Sequence, residues 1–183
     1  MGLRRDVRAD VLAGVGVAVI SVLLAAPVGL LWAAVSPQAD VQIVNAQQIG
    51  YVDPEPRAFL GADLTFLLIG LVVGAGLGII AWVVARRHAP AVVVGLVVGG
   101  VLAALIASKV GARVGRADFV ESVRAGRPGV VRQSVSLVAK QCLVGWPIGA
   151  LAAFLTLTLV RERGAPAASA QVIADSVWAT SSS

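Results

Sequence analysis

The sequence predicts an all-α membrane protein: a four-transmembrane-helix bundle with a small β-hairpin in the first extracytoplasmic loop. Three observations carry that expectation. Of the 183 residues, 58% are hydrophobic and 14% charged, against about a quarter charged in soluble domains. The mean hydropathy is +0.89, and a single domain of this size has too little interior to hide such an apolar excess from water. The apolar residues also fall into four runs, each long enough to cross a bilayer.

The first run, Val11 to Val35, holds 25 residues without a charge. A helix of that length is about 37 Å long, more than the ~30 Å hydrocarbon core, so it spans with some tilt. It is too long for the core of a secretory signal and reads as an uncleaved anchor. The second run, Leu64 to Ala85, is closed by Arg86 and Arg87. The third starts at Pro90, which suits the first position of a helix, and extends to Ala112 with Lys109 snorkelling. The fourth covers Gln141 to Val160 and ends at "RER". Residues 1–163 thus form one transmembrane domain with spans at 11–35, 64–85, 90–112 and 141–160. The Ala- and Ser-rich tail, 164–183, is expected to be a disordered cytoplasmic segment.

Four spans put both termini on one side. With the termini in the cytoplasm, seven basic residues lie inside and eight outside, seven of those eight between Lys109 and Lys140. The flanks of the first span decide it: Arg4, Arg5 and Arg8 precede it, and Arg57 alone occupies the loop that follows. The expected location is the inner (plasma) membrane, with both termini cytoplasmic. In the first loop, "VQIV" and "IGYV" flank "NAQQ", a hairpin pattern, and "DPEP" breaks regular structure after it. "RRHA" is short enough to make spans two and three an antiparallel hairpin. "RPG", Arg127 to Gly129, marks a turn. Beyond it Val131, Val135, Val138 and Cys142 share a helical face, so helix four can begin early with a half-wet first part.

"GLGIIA", Gly76 to Ala81, fits a loose dinucleotide fingerprint, but that motif needs a turn and an acidic residue about 20 positions on. No Asp or Glu lies between Asp63 and Asp118, and the apolar run is unbroken. At a period of four the same stretch reads differently. Gly70, Gly74 and Gly78 fall on one helical face, and Gly95, Gly99 and Ala103 repeat the pattern in the third span. In lipid, helices associate through close van der Waals contact, which small residues permit. These two stripes are expected to pack on each other or on another protein. Ser21, Ala25, Gly29 and Ala33, and Gly145, Gly149 and Ala153, form weaker stripes in spans one and four.

No Asp, Glu, Lys, Arg or His lies in the cores of the spans, which disfavours a self-contained ion-coupled transporter. Asp63, just before the second span, is expected to be its N-cap. Trp32, Trp82 and Trp146 lie near span ends and read as interfacial anchors. Pro147 sits in the first turn of helix four or at a kink. His88 reads as a solvated loop residue and Cys142 as a small packing residue. One cysteine and one histidine cannot make a four-ligand zinc site, and no metal or cofactor is expected. The net charge of +5 and pI of about 10.7 fit anionic lipid headgroups better than nucleic acid, because the basic residues flank apolar runs. Arg113, Arg116, Arg124 and Arg127 are the candidates for contact with anionic lipids or envelope polymers. Asp118 and Glu121 are expected to form surface ion pairs with their arginine neighbours. No catalytic constellation is visible.

The strings "APVGLLWAAVSP" (Ala26 to Pro37), "GADLTF" (Gly61 to Phe66) and "GWPIGAL" (Gly145 to Leu151) resemble matching stretches of a family of small actinobacterial membrane proteins. That family is filed as a domain of unknown function, with some members labelled ABC transporter permease. The resemblance covers Val11 to Val160, implies a four-span inner-membrane protein and supplies no catalytic residues. The permease label fits these residues poorly, since "RRHA" is too short for an ATPase-coupling helix. The expected role is that of a non-enzymatic accessory or assembly partner in the cell envelope, in contact with the bilayer and with anionic lipids or another membrane protein. The alternatives are a subunit of a transport (ABC permease-like) complex and a membrane-embedded enzyme acting on lipid or envelope precursors.

Overall fold

A computed structural model describes residues 2–45, 48–51, 57–125 and 129–181. The chain runs through α1 (Gly2–Val35), β1 (Asp40–Asn45), β2 (Gln48–Tyr51), α2 (Arg57–Ala85), a 3-10 turn (Arg86–His88), α3 (Ala89–Gly111), α4 (Arg116–Arg124), β3 (Gly129–Arg132), a second 3-10 turn (Lys140–Val144) and α5 (Gly145–Ser181). Among the described residues, four helices are long and apolar enough to cross a membrane, and they are the four spans anticipated. Pro90 lies in the first turn of α3, as its missing N–H favours. Pro147 lies in the first turn of α5 rather than at a kink. α3 and α4 are separated at Gly115, whose φ of 70° is left-handed and open to glycine without strain.

Helix adjacency in sequence does not govern adjacency in space. α1 packs chiefly on α3, and α2 on α5; the two pairs meet mainly through α3 against α5. Gly14 lies against Ala91, Ala18 against Gly99 and Gly29 against Ala107, so α1 and α3 run parallel. Gly70 and Gly74 lie against Trp146 and Gly78 against Ala150, so α2 and α5 run parallel as well. The two glycine stripes therefore do not face each other. The short turn makes α2 and α3 antiparallel neighbours in the chain, but each carries its small residues to a different partner.

The hairpin predicted from "VQIV" and "IGYV" is present: β1 and β2 pair antiparallel, with Val41 opposite Tyr51 and Ile43 opposite Ile49. A third strand joins them. β3 pairs antiparallel with β1, Val41 opposite Val131, giving the order β2-β1-β3. Val41 and Ile43 are buried and Gln42 is exposed, the period-two alternation of a sheet with one face on the core. The early start of helix four is corrected. Residues 129–132 are strand, 133–139 carry no regular structure, and the helix opens at Gly145. Val131 pairs with β1, which satisfies its backbone, whereas Val135 and Val138 fall in the irregular segment that follows. The "DPEP" break and Arg127–Pro128 of the "RPG" turn lie outside the described residues. The tail expected to be disordered is helical to Ser181, as an alanine-rich segment allows.

The order helix, strand, helix occurs twice: α1–β1–α2 and α3–β3–α5. Like members pair with like, helices parallel and strands antiparallel. A two-fold axis along the bundle generates that arrangement when the strands lie across it.

Candidate functional site

The strand-bearing end of the bundle gathers the three sequence strings singled out above. Trp32 is fully buried near the end of α1, and its Nε1–H donates to the Ala62 carbonyl at 2.9 Å. Its ring meets Phe66 edge to face, centroids 5.1 Å apart at 77°, a geometry favoured by the ring quadrupoles. A Cβ at Gly61 would lie 2.7 Å from Pro37 Cγ, so the α2 start and the α1 end close tightly on each other. Trp146, 1% exposed, seats its backbone against Gly70 and Gly74. Trp32 and Trp146 are therefore core residues and not interfacial anchors. Both stand where helices close on one another, Trp32 against Ala62 and Phe66 of α2 and Gly111 of α3, Trp146 against Gly70 and Gly74 of α2.

Asp63 is 5% exposed. It is not the N-cap of its own helix, because α2 starts six residues earlier at Arg57. Its carboxylate reaches across the bundle instead. Oδ1 accepts the Val138 N–H at 3.0 Å and Oδ2 the Ala139 N–H at 2.8 Å. Those amides belong to the irregular segment entering the second 3-10 turn, where no strand or helix partner supplies an acceptor. The charge-assisted pair holds the β3–α5 connection against α2. Ser36 Oγ, Gln133 Oε1 and Trp146 Nε1 are also buried, without a hydrogen-bond partner among the described residues.

The packing candidates are all buried: Gly70, Gly74, Gly78, Gly95, Gly99 and Ala103. A Cβ at Gly74 or Gly78 would overlap the carbonyl oxygen of Trp146 or Ala150, one at Gly95 would overlap the Gly14 carbonyl oxygen, and one at Gly99 would lie 2.6 Å from Ala18 Cα. Gly145 and Gly149 return the contact from α5 onto Leu67 and Leu71. The weaker stripe of α1 is used too, since Ser21, Ala25, Gly29 and Ala33 are buried. Gly76, inside "GLGIIA", would point a Cβ into open space, with nothing within 4 Å, and the motif lies on unbroken helix.

Arg113, Arg116 and Arg124 are exposed on and beside α4, where they line a surface groove with Ala117, Val120 and Glu121. Arg127 lies outside the described residues. Among the described residues Asp118 and Glu121 make no ion pair with these arginines, so the predicted pairs are absent there and the positive charge is left facing solvent. Replacing Arg113, Arg116 and Arg124 by Gln should lower the binding of nanodisc-held protein to anionic vesicles at least tenfold, at about 1 kcal/mol per basic residue. Vesicle co-flotation measures it, and unchanged binding would remove the groove as a lipid contact.

At the opposite end His88 is not a free loop residue. Its Nδ1 pairs with Asp10 Oδ1 of α1, and both side chains are partly shielded. The partners are 78 positions apart, a distance that hides the pair from local reading. The hydroxyls of Ser21, Thr65, Ser108, Ser122 and Thr158 each donate to a backbone carbonyl three or four residues back. Among the described residues no group of three or more His, Cys, Asp and Glu could hold a metal ion.

Fold and composition together define a multi-pass membrane protein with four spanning helices. Comparisons with protein-family models, with curated proteins and with solved structures find no match to the chain.

Proposed function

We propose that the chain is a non-enzymatic accessory or assembly partner in the cell envelope, held in the inner membrane with both termini in the cytoplasm. One observation carries the reading. The spanning helices use their small residues on one another, while the three-stranded sheet and α4, with Arg113, Arg116 and Arg124 exposed on and beside it, stand together at one end as a platform. In this orientation the platform faces outward, as the three arginines before the first span favour. The resemblance to the four-span actinobacterial family agrees with it. The turn between α2 and α3, Arg86–His88, would be the only inter-helix connection on the cytoplasmic side, and three residues give an ATPase nothing to grip.

Purification from the native membrane in mild detergent tests this. The expected result is the protein alone or with an envelope protein. A stoichiometric ATPase would overturn the proposal in favour of a transport subunit.

A further inference from the structure

The helices α1 and α2 are tied at the strand end and flank a cleft beyond it. At the strand end Trp32 ties them together through Ala62 and Phe66. Toward His88 a cleft of about 340 Å³ lies between them, with the Asp10–His88 pair at its mouth. Ala13, Gly16 and Val17 of α1 line one wall, Leu77 and Ala81 of α2 the other, and His88 stands at the mouth. On α1 the lining runs from Ala9 to Ile20, about 16 Å at the helical rise, or half of a ~30 Å hydrocarbon core. Along α1 the cleft is thus about as deep as one leaflet. A neighbouring transmembrane helix must run the full thickness and cannot follow it, whereas a lipid tail ends where the cleft ends.

Two further observations select the occupant. Gly16 has open space where its side chain would be, unlike Gly14, whose Cβ would meet the Ala91 carbonyl oxygen at 2.5 Å. Gly16 therefore serves no helix contact, and its bareness widens the cleft. At the mouth, Asp10 engages His88 Nδ1 and leaves the other ring nitrogen without a partner among the described residues, while Arg8 and Arg87, the chain neighbours of the mouth, are exposed. Two arginines thus stand in the chain beside an apolar slot, and the carboxylate there, Asp10, is taken up by His88.

We propose that this cleft binds one acyl chain of an anionic phospholipid from the adjoining leaflet, with the phosphate at the rim formed by His88, Arg8 and Arg87. The site is separate from the α4 groove, which lies at the other end of the bundle.

Native mass spectrometry of the full chain, released from nanodiscs of equal phosphatidylglycerol and phosphatidylcholine, tests it. The wild type should retain one phosphatidylglycerol in preference to phosphatidylcholine. Gly16→Leu fills the slot from a position whose Cβ meets no neighbour within 4 Å, and Arg8→Gln with Arg87→Gln removes the two arginines at exposed positions. Each should cut retention at least about tenfold, the rim variant by losing two basic contacts. Gly76→Leu, in open space outside the cleft, should retain the lipid as the wild type does. Retention by either the slot or the rim variant, absence of headgroup preference in the wild type, or a second copy of the chain in place of lipid would overturn the assignment.

Discussion

Replacing Gly74 with alanine should lower the unfolding temperature in detergent by about 10 °C, on a cost of ~3 kcal/mol and the usual few degrees per kcal/mol for a chain of this size. The added methyl would overlap the Trp146 carbonyl oxygen and approach the Ala150 N at 3.1 Å. Both are backbone atoms of α5, so no rotamer change can make room. The helices must part, and loosening there spreads to Gly70 and Gly78 on the same face. Leucine at Gly74 should prevent the pair from closing at all. Gly76 is the internal control, two residues away on the same helix with no neighbour at its Cβ direction. Gly76→Ala should be neutral or stabilising by up to ~1 kcal/mol through helix propensity. Thermal unfolding followed by circular dichroism reads both. Equal behaviour of the two alanine variants would refute parallel α2–α5 packing.

The second large effect belongs to Asp63. Asp63→Leu removes both acceptors of the Val138 and Ala139 amides at once. A buried donor left without a partner costs about 1–3 kcal/mol, so the loss should reach ~2–5 kcal/mol where water does not replace the carboxylate. Asp63→Asn keeps one acceptor and should fall between. The damage should be local before it is global. Hydrogen exchange over residues 133–144 should accelerate many-fold, while α1 and α3 keep their protection. Unchanged exchange at Val138 and Ala139 would show that the carboxylate does not hold this connection.

These two sites also mark where the sequence can be read and where it cannot. The spans were legible because an uncharged run of some twenty residues has few alternatives in water. The hairpin was legible because its β-rich halves are neighbours in the chain. Pairing was another matter: Gly70, Gly74 and Gly78 show that α2 has a close-contact face, but any of the other stripes could have met it. Only the fold selects α5. Asp63 had the composition and position of a cap, and it does cap, but for a segment 75 positions away. β3 escaped notice because Val131, Val135 and Val138 share a helical face, and the strand that decides against a helix at Val131, β1, lies far upstream. Trp32 and Trp146 looked like anchors because position along a span says nothing about which other helices close on its end.

The pairing of α1 with α3 and of α2 with α5 sets the order of events during synthesis. Helices enter the membrane in chain order, yet the first to enter must wait for the third, and the second must wait for the last. Until α5 leaves the ribosome, the glycine face of α2 is open to lipid, and the Val138 and Ala139 amides, made just ahead of α5, have no closed α2–α5 pair to hold them at Asp63. The bundle is completed by its final helix, so a nascent chain that stalls before Gly145 holds three inserted spans and one closed pair, with the glycine face of α2 uncovered.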